Sequence, residues 1–299
     1  MPGKRNISRH FVYLQGAGVA SCPMPELPEV ETIGRGLHTQ LVDRVVSDVV
    51  VRRRDLRVPI PADFRERVIG RRVLGVQRRA KYLLWPLDDG GLIVAHLGMT
   101  GRFTVRVLPI EDVGPHDHVL LYTNDGRCTT FSDPRRFGVL VLGHVKQPSL
   151  HPLLKGLGPE PLDDAWDAPQ LLAKVQGRKS PLKSLLLDQS VIAGLGNIYV
   201  SEALFRARIS PLRLGCSLML SEARRLVPAI RQVLRDAIDA GGSTLRDYVQ
   251  ADGAIGGFQN QFSVYEQHDQ PCPHRGCKGR IQRIVQAGRS TYFCPSCQK

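Results

Sequence analysis

No apolar run in this 299-residue sequence approaches the roughly eighteen residues that a helix needs to cross a bilayer. A helical membrane span is thereby excluded, and a soluble protein is expected. Acid is also scarce: 28 Asp and Glu stand against 41 Lys and Arg, a formal net charge of +13. That excess suits a polyanion, because nucleic-acid binders collect phosphates with Lys and Arg, although a merely basic protein has the same balance. Residues 1–23 contain no acid, and their apolar stretch "FVYL" is too short for a secretory signal. Without such a signal, the seven cysteines belong in a reducing compartment, where clustered thiols hold metal more often than they form disulfides. No internal repeat is visible.

What is present is enough for two domains, with 42 % apolar residues spread along the chain. Val30, Ile33 and Leu37 recur at spacings of three and four, which predicts a short amphipathic helix from Pro28 to Leu37. Strand-like runs follow: "VVSDVVV", "KYLLWPL", "LIVAHLG", "HVLLYT" and "FGVLVLG". The turn "NDGR" between the last two is a hairpin signal. Proline and glycine concentrate in "PSLHPLLKGLGPEPLDD", which reads as a linker. Beyond it the period is helical, best from Ser221 to Ala240, with Ser221 as N-cap and Gly241-Gly242 as stop. In "LLLDQSVIAGLGNIYVSEALF" two helices flank "AGLGN", the second starting at Ile198. Gly194 and Gly196 would let backbone approach a phosphate, and Asn197 would cap the second helix or bond a phosphate oxygen. A plain helical hairpin with a glycine turn accounts for the same residues.

The cysteine tail is more specific. Cys272 and Cys277 enclose four residues, Cys294 and Cys297 two, and sixteen separate the pairs. Four thiolates on two tight turns fit a tetrahedral, structural Zn2+ site with a β-hairpin between them. Four sulfurs leave no open coordination position for chemistry. Two disulfides are the alternative, disfavoured by compartment, and His274 is a bystander inside the first knuckle. The hairpin tip is expected to carry Arg280, Arg283 and Arg289, suited to phosphate contact.

The motifs "MPELPEVET" at Met24, "QRRAKYLLW" at Gln77, "HLGMTG" at His96 and "HDHV" at His116 occur in this order. They are followed by "DPRRFG" at Asp133, "LGPEPL" at Leu157, "GLGNIYVSEALF" at Gly194 and the terminal "STYFCPSCQK". Together they resemble the formamidopyrimidine-DNA glycosylase family over nearly the whole chain from residue 24. The start "PELPE" is similar to the purine-directed branch, whereas the sister endonuclease VIII family, which acts on oxidised pyrimidines, begins Pro-Glu-Gly-Pro. The resemblance implies an α+β multidomain fold. Residues 1–24 form a processed or miscalled leader, 25–153 a β-sandwich with one helix, 154–263 a helical domain with a helix–two-turn–helix, and 264–299 the zinc finger. It implies a monomeric base-excision repair enzyme that removes oxidised purines from double-stranded DNA and then cleaves the abasic strand, with no small-molecule cofactor.

By the same resemblance Pro25 is the nucleophile, Glu26 the adjacent acid/base, Lys81 a phosphate contact assisting β-elimination, and Arg289 the finger arginine of the final elimination. Glu29 supports the pocket. Met99, Arg135 and Phe137 match residues that fill the gap left by an extruded base. His116, Lys179 and Asn197 match backbone contacts, as does Lys183 more loosely, and "LRDYVQADGAIGGFQNQFSVY" matches a lesion-capping loop. A proline inside a chain has an amide nitrogen and attacks nothing, so the working polypeptide is expected to begin at Pro25. An α-amino group titrates about two units below lysine, which leaves more of it neutral near pH 7. The competing expectation is a non-catalytic DNA-binding module in which the leader blocks that nitrogen. The spacing of four between Cys272 and Cys277, where two is commoner in the family, is a departure that leaves the ligand count unchanged.

Overall fold

The computed structural model describes residues 24–243 and 256–299. Residues 1–23 of the leader and residues 244–255, which include the first part of the expected capping loop, lie outside the described residues. Helix α1 (Leu27–Leu41) opens the described chain and runs past Leu37, because Leu41 is also buried in the core. Eight strands follow, with a short helix α2 (Phe64–Val68) after the first: β1 (Val46–Val51), β2 (Gln77–Arg79), β3 (Tyr82–Pro86), β4 (Gly91–His96), β5 (Arg102–Val107), β6 (Asp117–Thr123), β7 (Arg127–Ser132) and β8 (Val139–His144). They form two four-stranded antiparallel sheets, ordered β1-β6-β7-β5 and β2-β3-β4-β8. Val49, Leu83, Trp85, Ile93, Phe103, Val119, Leu121 and Phe131 meet between the sheets, and Val30, Ile33 and Leu37 of α1 join the same core.

One pairing differs from the sequence expectation. The strand after the "NDGR" turn is β7, "RCTTFS", and "FGVLVLG" instead supplies β8 of the other sheet. As a central strand between β6 and β5, β7 buries Thr129, Thr130 and Ser132 along with Phe131. Its polar composition hid it from a reading based on apolar runs.

The second unit packs α3 (Ala168–Val175), α4 (Leu182–Leu187), α5 (Asn197–Arg206) and α6 (Leu220–Asp239) around Trp166, Leu171, Leu185, Tyr199, Leu226 and Ile230. Helix α6 begins before Ser221, which therefore is not its N-cap; Met219 is, and its N–H donates to the Glu222 carboxylate at 2.9 Å. At the other end Gly241 and Gly242 take φ of 77° and 83° and stop the helix as expected. The terminal hairpin pairs β9 (Gln282–Gln286) with β10 (Arg289–Phe293) across Ala287-Gly288, whose φ values of 46° and 74° suit a two-residue primed turn. Arg289 adjoins that tip. Arg280 does not: it lies at the hairpin base, bridged to Pro271 and donating to Asp269 O at 2.6 Å.

The expected linker is tied down rather than slack. Glu160 accepts Arg79 Nη1 and the Ala80 N–H on one oxygen and Arg78 Nη1 on the other, all at 2.6 Å. Arg78 also donates to Glu31 of α1 at 2.8 Å. The β2–β3 turn, with Ala80 at φ 53°, is thus clamped between α1 and the second unit. Lys81 follows it directly.

Candidate active site and nucleic-acid interface

The start of α1 is threaded into the turn before α5. The Leu27 N–H donates to Gly194 O at 3.1 Å. A Cβ on Gly194 would stand 2.6 Å from Leu27 Cδ1, and one on Gly196 would stand 2.1 Å from Glu26 Cδ. These glycines make room for Glu26 and Leu27, a close approach within the chain that the sequence reading did not include. The Glu26 carboxylate then accepts the N–H groups of Ile198 at 3.1 Å and Tyr199 at 3.5 Å. Helix α5 is capped from 172 residues away, by an anion placed where the helix dipole favours one. Asn197, expected as the cap, sends Nδ2 to Ser290 O of β10 at 2.9 Å.

Lys183 of α4 reaches the same strand, donating from Nζ to Ser290 O at 2.9 Å and to Thr291 Oγ1 at 2.6 Å. Two helices therefore hold the strand that begins with Arg289. Glu29 gathers the other side: it accepts the Glu26 N–H at 3.0 Å, the Ser243 N–H and hydroxyl at 2.8 and 2.9 Å, and the Tyr199 hydroxyl. Glu29 thereby ties Ser243, which follows helix α6, to Glu26.

Charge is concentrated here on buried side chains. Burial pushes the Glu26 carboxyl up to about 7, with Glu29 adding to the rise and Lys81 opposing it. Burial lowers Lys81, and the Arg289 charge lowers it further while Glu26 counteracts. Burial brings Lys183 down to about 7, again with Glu26 opposing and Arg289 assisting. A carboxyl and amines drawn toward neutrality from opposite sides can exchange protons at physiological pH. Pro25, half-buried, is bonded directly to Glu26.

His96 joins the cluster and was not singled out from sequence, although it opens the quoted "HLGMTG". Its Nδ1 accepts the Gly98 N–H at 2.9 Å, and burial, Lys81 and Arg57 lower it to about 4. It is thus neutral, with its remaining hydrogen on Nε2. Glu160 was likewise hidden in "LGPEPL".

The three expected gap-filling residues lie on two loops fastened to each other. Gly98, at φ 62°, passes so close that a Cβ would be 2.4 Å from the Phe137 carbonyl carbon. Buried Asp133 accepts Thr100 Oγ1 on one oxygen and the Gly138 N–H on the other, the latter at 2.7 Å, and its carbonyl meets His118 Nε2 at 2.7 Å. On this support the Arg135 guanidinium sits 4.8 Å over the Phe137 ring, and Phe137 is 43 % exposed. Met99 is half-buried beside them. A large exposed aromatic on a rigid loop needs a reason other than the core. His116 and Lys179 are exposed.

In the finger, Cys272 and Cys297 Sγ are 3.7 Å apart, as are those of Cys277 and Cys294, and all four lie within 4.8 Å of one another. With metal–sulfur bonds of about 2.3 Å, a tetrahedral site has edges of about 3.8 Å. The four thiols therefore fit one structural Zn2+, and among the described residues no other His, Cys, Asp or Glu group of three or more has metal-holding spacing.

Three family models match the chain: the formamidopyrimidine-DNA glycosylase N-terminal domain over residues 24–140, its H2TH domain over 157–249, and the zinc finger found in FPG and IleRS over 269–299. A formamidopyrimidine-DNA glycosylase of Rhodospirillum rubrum is 53 % identical, covering 91 % of this chain and 98 % of its own. One from Cereibacter sphaeroides is 50 % identical over 92 % of this chain and 100 % of its own. Among solved structures, the MutM (Fpg) protein of Thermus thermophilus superposes with a TM-score of 0.80 at 46 % identity, covering 92 % and 98 % of the two chains. Lactococcus lactis Fpg complexed with abasic-site DNA gives 0.84 at 32 %, covering 92 % and 100 %.

Proposed function

The chain belongs to the formamidopyrimidine-DNA glycosylase family, and from that premise we propose that Pro25, freed as an amino terminus, is the nucleophile of its reaction. The protein is a base-excision repair enzyme, a DNA glycosylase and AP lyase that acts on damaged duplex DNA, with a zinc finger. Its substrates are oxidised purines such as 8-oxoguanine and formamidopyrimidines. What carries the assignment of roles is the buried pairing of Glu26 with Lys81 immediately beside Pro25.

The prolyl nitrogen attacks C1′ of the damaged nucleotide and the base leaves with the bonding pair. Glu26, near neutrality, gives a proton as the sugar ring opens and takes one back later. A secondary amine yields an iminium that cannot discharge by losing an N–H, so it remains an electron sink. It acidifies the adjacent sugar proton, and loss of that proton expels the 3′ phosphate. Lys81 stands by the flanking phosphate and assists this step, and Arg289 assists the second elimination on the 5′ side. Met99, Arg135 and Phe137 occupy the space of the extruded nucleotide, paying its unstacking with their own contacts. His116, Lys179 and Asn197 bind backbone phosphates. The cytoplasmic nucleoid is where such a substrate would be met.

The leader is the apparent obstacle to this chemistry. The family match begins at residue 24, and the Cereibacter relative is covered over its whole length while 92 % of this chain is used. The family match thus takes in Met24, the residue immediately before Pro25. Units of 25–153, 154–263 and 264–299 accord with the two sheets, the helical core and the finger. Borohydride reduction during reaction with 8-oxoguanine duplex tests the proposal. The enzyme should form a covalent DNA adduct, and Pro25→Gly should lose at least about 100-fold in adduct yield while still binding duplex and zinc. An undiminished adduct in Pro25→Gly would refute the assignment.

A further inference from the structure

The widened first knuckle, Cys272-Pro-His-Arg-Gly-Cys277, does something with its extra residues. Its turn is closed by the Cys277 N–H donating to His274 O at 3.0 Å and by Gly276 at φ 80°. The His274 ring is thereby laid flat on Phe205, 4.1 Å between centroids and 10° between planes. Phe205 is buried near the C-terminal end of α5, the helix whose other end is capped by Glu26. From that seat Nδ1 is 3.2 Å from Cys297 Sγ.

A zinc-bound thiolate carries no proton and can only accept, so Nδ1 at this distance must be the donor. The recipient sulfur belongs to the half-buried Cys297. The residue after it, Gln298, accepts the Cys294 N–H at 2.8 Å and donates to Ile209 O at 2.9 Å. Among the described residues, the other hydrogen-bond partners found for Cys297 Sγ are the thiols of Cys272 and Cys294, which are themselves ligands of the same site. A ring that both donates to this sulfur and stacks on α5 would quench its nucleophilicity and fasten the finger to the helical unit.

We propose that His274 is a positioning residue of the metal site: its Nδ1–H holds the Cys297 thiolate, and its stacked ring ties that ligand to helix α5. The inference rests on the zinc reading of the finger and is independent of the role given to Pro25. It is tested on the full chain loaded with Co2+, whose sulfur-to-metal charge-transfer band reports the electron richness of the thiolates. Wild type should show a four-sulfur spectrum, which separates a failure of the zinc reading from a failure of this one. His274→Phe keeps the stack and removes the donor. Its band should move to lower energy, and iodoacetamide labelling of Cys297 in the zinc-loaded chain should quicken about tenfold. His274→Asn, whose amide nitrogen stands near the position of Nδ1, should restore both readings toward wild type; if His274→Phe does not fold, His274→Ala takes its place against Asn. An unmoved band with unchanged labelling in the donor-less variant would overturn the proposal. So would a wild-type spectrum of three sulfurs and one nitrogen, which would make His274 a ligand instead.

Discussion

Glu26 is asked to do two things that ordinarily conflict. It caps α5 as an anion through Ile198 and Tyr199, yet burial and Glu29 raise it to about 7. The compromise leaves it near half ionisation at the pH of the cell, which suits a group that must give and recover a proton. The signs of its neighbours make the balance testable by carbon NMR of labelled glutamate side chains. The Lys81 charge favours the ionised form, so Lys81→Met should move the Glu26 midpoint above 7. The Glu29 charge disfavours it, so Glu29→Gln should move the midpoint below 7. A midpoint near the ordinary carboxylate value of about 4.3 in the wild type would contradict the burial seen here. The family resemblance gave Glu26 its acid/base role, but not the contacts that tune it. Its partners lie 172 and 173 residues on, beyond the reach of any local pattern.

At the scale of elements, the turn "AGLGN" shows how a correct motif can carry an incomplete reason. Its glycines were legible as sites of close backbone approach, but what approaches is the start of α1. Adding a methyl at Gly196 puts it 2.1 Å from the Glu26 carboxyl carbon, so the carboxylate must swing away and give up the Ile198 and Tyr199 N–H groups that it accepts. Gly196→Ala should therefore destabilise the fold by about 1–3 kcal/mol in urea unfolding and depress adduct formation strongly, since the displaced group is the acid/base. Stability and activity both unchanged would show that the two elements do not meet as described. The finger was legible for a simpler reason: metal ligands are chemically distinctive and their spacing is local. The strand β7 was not, because its burial comes from two neighbouring strands and its own residues are largely polar.

For the whole molecule, two separately cored units and a finger converge on one group of charges, buried at Glu26, Lys81, His96 and Lys183 and exposed at Arg289. The sandwich contributes Lys81 and His96 along with α1, the helical unit contributes Lys183 and the start of α5, and the hairpin contributes Arg289. Glu160 and the Arg78–Arg79 pair fix the first two relative to each other, and Lys183 and Asn197 hold the third. The order of these units was readable from the shift between strand and helix periods. Their convergence was not, because it depends on contacts that the periods do not encode. All of it surrounds a nitrogen that is chemically inert while Met24 precedes it. The most direct test is the mass of the borohydride-trapped adduct with an 8-oxoguanine duplex, followed by peptide mapping of the crosslink. A polypeptide starting at Pro25, with the sugar remnant on that first residue, is the predicted result. An adduct on a chain that still carries residues 1–24, or one mapped to a lysine, would contradict it.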